Sequence, residues 1–133
     1  MTKPVVLVLD DEKDILYFTC KFLQRFNYTC HIASNIEEAK NLIASQKINL
    51  LLCDGHLKDG DAFKFLTWVQ TNYPSIAQVF MSGDAERPVP HDQPTPIMDL
   101  AHLEKPFTLE ALKNVVASTL AKSNQQAEDA ITS

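Results

Sequence analysis

The chain has 133 residues, 45% of them hydrophobic and 22% charged, with a net charge of −5. That supplies enough apolar material for one compact domain and excludes a disordered or collagen-like chain. With 17 acidic against 12 basic residues and no cluster of Lys and Arg, a dedicated nucleic-acid surface is excluded as well.

Val5 to Leu9 is an unbroken apolar run of strand length, and Asp10-Asp11-Glu12 follows at once. The run is too short for a signal peptide or a membrane span, so no membrane contact is expected. Ile15, Phe18, Phe22, Leu23 and Phe26 then recur at helical spacing and predict an amphipathic helix. Tyr28 to Ala33 has the mixed polarity of a strand at a sheet edge. Ser34-Asn35-Ile36-Glu37 reads as a capping box opened by Ser34. Ile36, Ala39, Leu42 and Ile43 line one face of the helix that follows. Asn49 to Asp54 reads as a strand with an unbroken apolar run, Leu50 to Cys53, as a central strand covered on both faces must have. Past the loop Gly55 to Asp61, Ala62, Phe65, Leu66 and Val69 share a third helical face, which Asn72-Tyr73-Pro74 ends. Ile76 to Ser82 predicts a fourth strand and His102 to Glu104 a short fifth one. Thr108 can cap a last helix with Leu109, Leu112, Val115, Val116 and Leu120 as its stripe.

Strand–helix alternation of this kind requires right-handed crossovers and a parallel sheet with helices on both faces. One stretch breaks it. Four of the seven prolines stand at 88, 90, 94 and 96, where a fourth helix belongs between strands four and five. Each removes an N–H and biases the preceding residue away from the α region, so that helix is expected to be degraded. From Ser123 the chain loses its apolar period, and residues 123–133 are expected to form a disordered tail or a linker stub after a domain at 1–122. Cys20, Cys30 and Cys53 are scattered and without C-x-x-C spacing, as reduced thiols of a cytoplasmic protein would be.

The polar residues that end these strands belong to one chemistry. A parallel sheet lines up the C-terminal ends of its strands along the edge where open α/β folds bind ligands. Asp10-Asp11, Asp54, Ser82 and Lys105 therefore converge there, three carboxylates with a hydroxyl and an ammonium. Hard oxygen ligands suit Mg²⁺, and an ammonium and a hydroxyl can meet phosphoryl oxygens.

These residues, in this order and on these elements, resemble the response-regulator receiver domain over roughly residues 4–121. The resemblance implies a flavodoxin-like, doubly wound five-stranded parallel sheet in the order 2-1-3-4-5. It implies Asp54 as phosphoacceptor, with Ser82 and Lys105 touching the phosphoryl group. Asp11 and Asp54 would bind Mg²⁺ directly, Asp10 through water, and His56 through its backbone carbonyl. A cis Lys105–Pro106 bond is implied too. His102 stands at the family's switch aromatic, and His56 and Asp84 at positions flanking the path of an attacking water. The chain departs from the family at Lys58 and Ala62, where proline and glycine are usual. Asp59-Gly60-Asp61 keeps turn chemistry nearby.

The function implied is a phosphorylation-controlled switch and not a dedicated enzyme. A histidine kinase or phosphotransfer protein would supply the phosphoryl group, and output would run by protein contact to an unknown partner. With its fourth helix degraded, the domain is expected to stay a monomer in preference to a dimer. The competing reading is a receiver-like interaction module that works without phosphorylation. A phosphohydrolase of the haloacid dehalogenase type would want an aspartate where His56 stands, and Asp10-Asp11-Glu12 would repel a flavin phosphate.

Overall fold

The computed structural model describes residues 3–83 and 100–132, with side chains as far as 123. Five strands form one parallel sheet in the order β2-β1-β3-β4-β5. They are β1 (Val5–Leu9), β2 (Thr29–Ala33), β3 (Leu50–Asp54), β4 (Ala77–Ser82) and β5 (Ala101–Glu104). The helices are α1 (Lys13–Arg25), α2 (Ile36–Ser45), α3 (Ala62–Asn72) and α4 (Leu109–Thr132). This is the sheet order and fold that the resemblance implies. The proline segment expected to degrade a further helix, with prolines at 88, 90, 94 and 96, lies outside the described residues, as does Asp84.

Alternation along the central strands builds two cores. Val6, Val8, Leu50, Leu52, Val79 and Met81 pack beneath α1 and α4 with Leu16, Leu23, Leu112 and Val116. Leu7, Leu9, Leu51, Cys53 and Phe80 face the other way, against Ala39 and Ile43 of α2 and Phe65, Leu66 and Val69 of α3. Both faces of β3 are thus buried, which is why its sequence is apolar until its last residue, Asp54.

Local details depart from the sequence reading. In α1 the buried residues are Leu16, Thr19 and Leu23, whereas Phe18 is exposed. Phe18 stacks instead on Phe22 at the surface, with ring centroids 6.4 Å apart. The cap of α2 is Asn35 and not Ser34: the Asn35 side chain accepts from the Glu38 N–H at 2.8 Å. Glu38, one residue later than expected, accepts from the Ser34 N–H at 3.1 Å. Leu109 is exposed and leaves the α4 stripe to the buried Leu112 and Val116 and the partly buried Val115 and Leu120. That helix, opened as expected by Thr108, whose hydroxyl accepts from the Ala111 N–H, continues to Thr132. Past Ser123, where a disordered tail or a linker stub is expected, the chain continues in helix, which Gln, Ala and Glu favour without an apolar stripe. Asn27, at φ 70°, closes α1, where the Tyr28 N–H donates to the Leu23 carbonyl.

Candidate functional site

Strand pairing delivers the polar residues to one edge. Leu9 pairs with Cys53 across β1 and β3, so Asp10 and Asp54 leave neighbouring strands at the same level. Asp54 in turn pairs with Met81, and Ser82 pairs with Glu104. The Lys105 N–H donates to the Ser82 carbonyl at 2.7 Å, which extends the ladder by one residue and anchors the lysine. The Lys105–Pro106 peptide is cis, as the resemblance implies.

Lys105 is the hub of the site. Its ammonium donates to Asp10 Oδ2 at 2.6 Å and lies 3.3 Å from Asp54 Oδ1. Asp10 is fully buried and Asp54 is 4% exposed, so these charges interact in a medium far less polar than water. Burial by itself disfavours the Lys105 cation, yet the hydrogen bond and charge of Asp10, then the charge of Asp54, raise its pKa above the ordinary value. Asp54 is pushed up to about 6, first by burial and then by the negative charge of Asp10. Lys105 and the His56 N–H, which donates to Asp54 Oδ1 at 3.3 Å, offset part of that rise. The site carries more negative charge than its single ammonium balances.

The acidic excess extends outward. Carboxylate oxygens of Asp10, Asp11 and Glu12 lie within 4.8 Å of one another, an all-oxygen donor set of the kind a hard divalent cation takes. Glu12 is an addition to the residues read from sequence, and Asp54 stays outside this cluster, turned toward Lys105. Asp10 also accepts from the Glu12 N–H at 2.9 Å, which fixes the turn into α1.

The loop after Asp54 explains how the site tolerates Lys58 and Ala62. Asp59 reaches back to α2, where a carboxylate oxygen accepts from the Ile36 N–H at 2.9 Å. Asp61 caps α3 by accepting from the N–H groups of Phe63 and Lys64. Two carboxylates thus bind two helix N-termini, where negative charge is favourable. Between them Gly60 lies so close to α2 that a Cβ would come within 2.9 Å of the Ile36 side chain.

Gly55 makes a second tight approach. A Cβ there would fall 2.2 Å from Phe80 Cζ. The Phe80 ring has no room to yield, since it stacks on Phe63 (5.1 Å between centroids) and on His102 (5.9 Å). Gly55→Ala is therefore expected to cost about 1–3 kcal/mol by overpacking and to displace the Asp54 loop. Urea denaturation checks the cost, and an unchanged midpoint would show that Phe80 can move.

His102 lies beside Ser82, with Nε2 2.5 Å from the Ser82 hydroxyl oxygen. His56 is exposed, two residues past Asp54. Among the described residues, the structure brings together Asp10, Asp54 and Lys105 at one point and Ser82 and His102 at another along the same edge. Cys20, Cys30 and Cys53 are free thiols, and burial pushes the Cys53 thiol well above its ordinary pKa.

The sequence profile of the response regulator receiver domain matches residues 6–117, which include every one of these residues. The chain belongs to the response regulator receiver domain family. It is accordingly a receiver domain of two-component signalling, the class whose members bind Mg²⁺ and meet histidine kinases and output domains. The receiver domain is 29% identical over 132 residues to the response regulator protein PilR of Pseudomonas aeruginosa, covering 98% of this chain and 29% of PilR. It is 28% identical over 121 residues to the autoinducer 1 sensor kinase/phosphatase LuxN of Vibrio campbellii, covering 90% of this chain and 14% of LuxN. The chain thus spans less than a third of the length of the curated relatives it matches. Among solved structures, an uncharacterized protein from Neptuniibacter caesariensis superimposes with a TM-score of 0.85 at 23% identity, over 96% of each chain. A CheY-like receiver domain protein from Methanospirillum hungatei gives 0.78 at 20% identity, over 93% of this chain and 98% of that one. These likenesses carry the fold. No helix among the described residues is long and apolar enough to cross a membrane.

Proposed function

We propose that this receiver domain is a phosphorylation switch whose acceptor is Asp54, served by Lys105 and Ser82. One observation carries the reading: a nearly buried carboxylate at the end of β3 has an ammonium 3.3 Å away and an acidic cluster beside it. An oxygen of Asp54 attacks the phosphorus of a donor phosphohistidine. A P–O bond forms, the P–N bond breaks, and the imidazole leaves with the electron pair and takes up a proton. Lys105 moves its hydrogen bonding from Asp10 toward the arriving phosphoryl oxygens, and Ser82 donates to another of them. Catalysis of such a transfer is mostly the placing and neutralising of charge.

Asp10, Asp11 and Asp54, with the His56 carbonyl, would hold Mg²⁺, and Glu12 adds a further oxygen. When bound, the cation offsets the like-charge repulsion between carboxylate and phosphoryl group. The donor is a histidine kinase or phosphotransfer protein, in keeping with the likeness to both a response regulator and a sensor kinase. Output runs by protein contact from a monomer, through residues 84–100. His56 and Asp84 set the lifetime of the acyl phosphate by ordering or repelling the water that hydrolyses it. The domain is read as a phosphoacceptor of the cytoplasm and not as a turnover enzyme.

Incubation with acetyl phosphate and Mg²⁺, followed by intact mass, tests the reading. One added phosphoryl group that vanishes in Asp54→Asn is the expected result. An unmodified wild type under saturating donor and Mg²⁺ would favour the interaction module instead. Ala substitution at both His56 and Asp84 is expected to change the decay rate of the phosphorylated form, and an unchanged rate would remove their role.

A further inference from the structure

The contact between Ser82 and His102 has a polarity that matters for phosphoryl binding. Ser82 is 1% exposed, so its hydroxyl draws on few partners, and His102 Nε2 is 2.5 Å away. A hydroxyl has one proton to give and two lone pairs with which to accept. If Ser82 gives its proton to His102, it turns a lone pair toward an incoming phosphoryl oxygen, which is repulsive. If instead Nε2–H donates to Ser82, the serine proton is free to point at the phosphoryl group. An anionic group at Asp54 selects the second arrangement, and each hydrogen bond then polarises and strengthens the other.

The scaffold holds this geometry without requiring the histidine to move. Phe80 is the β4 register partner of His102, and the two rings stack with planes 19° apart. Ser82 is the register partner of Glu104 and accepts the Lys105 N–H through its carbonyl. Histidine, serine and lysine are therefore fixed to one another by a single stretch of β4–β5 pairing.

We propose that His102 is a positioning residue that orients the Ser82 hydroxyl toward the phosphoryl group, as the outer donor of a relay from imidazole to serine to phosphoryl oxygen. This rests on Asp54 being the acceptor. The ring stays in place on Phe80 during phosphorylation, and the proton arrangement changes.

The test compares initial phosphorylation rates from acetyl phosphate and Mg²⁺ in a double-mutant cycle. His102→Phe keeps a ring on Phe80 and removes the nitrogen. It is expected to slow phosphorylation about five- to ten-fold, the value of one hydrogen bond to a buried partner. His102→Gln returns an amide N–H near the Nε2 position and is expected to recover to within about two-fold of wild type. On a Ser82→Ala background His102→Phe should cost nothing further, because the proposed effect passes through the serine hydroxyl. A ring that served only packing would cost the same factor on both backgrounds, and that result overturns the relay. Equal rates for wild type and His102→Phe overturn it too, while leaving Asp54 as the acceptor. A wild type that takes up no phosphoryl group removes the acceptor reading and the relay together.

Discussion

Asp54→Asn is expected to abolish phosphoryl uptake and, at neutral pH, to unfold at a higher temperature than the wild type. The first effect follows from chemistry, since an amide oxygen lacks the charge and nucleophilicity of a carboxylate. The second follows from the site's unbalanced charge. Burial and Asp10 push Asp54 up to about 6 from an ordinary 3.8, so the folded protein holds this carboxyl protonated where the unfolded chain has released it. Between those two values the folded state binds more protons, and its stability falls as pH rises. Above about pH 6 the whole cost of an ionised Asp54 is present. Below the ordinary value both states are protonated and the cost is gone.

Asn presents a similar shape without the charge. At pH 7 the gain is expected to be about 1–2 kcal/mol, after discounting for solvent screening at the site mouth. It should shrink through the mildly acidic range and vanish near pH 3. Calorimetry across that range, without divalent cations, decides the matter. A gain that is constant with pH would mean that Asp54 is not strained by its charge. A variant less stable than wild type at pH 7 would mean that the Lys105 contact outweighs both burial and Asp10.

How far the sequence announces this arrangement depends on whether the deciding contacts are local. Strands β1 and β3 are continuous apolar runs ended by Asp10 and Asp54, and β4 is apolar from Val79 until Ser82 ends it, so sheet and site can be read together. The α1 face is harder, because a threonine occupies a buried position while Phe18 turns outward. A hydrophobic-period reading weighs those two residues the wrong way round. The one-residue shift of the α2 cap from Ser34 to Asn35 depends on which side-chain oxygen accepts the Glu38 N–H. Asp59 is invisible as a cap for α2 because it stands 23 residues from the N–H it satisfies. The Ser82–His102 contact needs the β4–β5 register, which sequence does not print. Glu12 could have been included among the acidic ligands from its adjacency to Asp10-Asp11 alone.

Lys105→Met is expected to be the most destabilising single change in the site. The lysine side chain is only 15% exposed and serves two carboxylates, one of them fully buried. Methionine fills much of the same volume but leaves Asp10 and Asp54 facing each other without a cation. Breaking a buried pair from one side typically costs about 3–5 kcal/mol, because the surviving charge is stranded. The sign with pH follows from the same charge. With Lys105 gone, only the His56 N–H offsets the rise of Asp54 caused by burial and Asp10, so the variant should lose stability more steeply than wild type as pH climbs. Mg²⁺ offers a second check, since a divalent cation held by the acidic cluster would replace part of the missing positive charge. It should therefore stabilise Lys105→Met more than wild type, the variant itself gaining about 2.7 kcal/mol at a hundred-fold excess over its own Kd. Phosphoryl uptake should stay impaired even in Mg²⁺, because a cation beside Asp10 and Asp11 does not supply the donor that Lys105 gives to the phosphoryl oxygens. Urea melts of both proteins with and without Mg²⁺ read all of this. Equal stabilisation of the two proteins by Mg²⁺ would show that cation and lysine do not compensate the same charge, and the acidic cluster would then have to be reassigned.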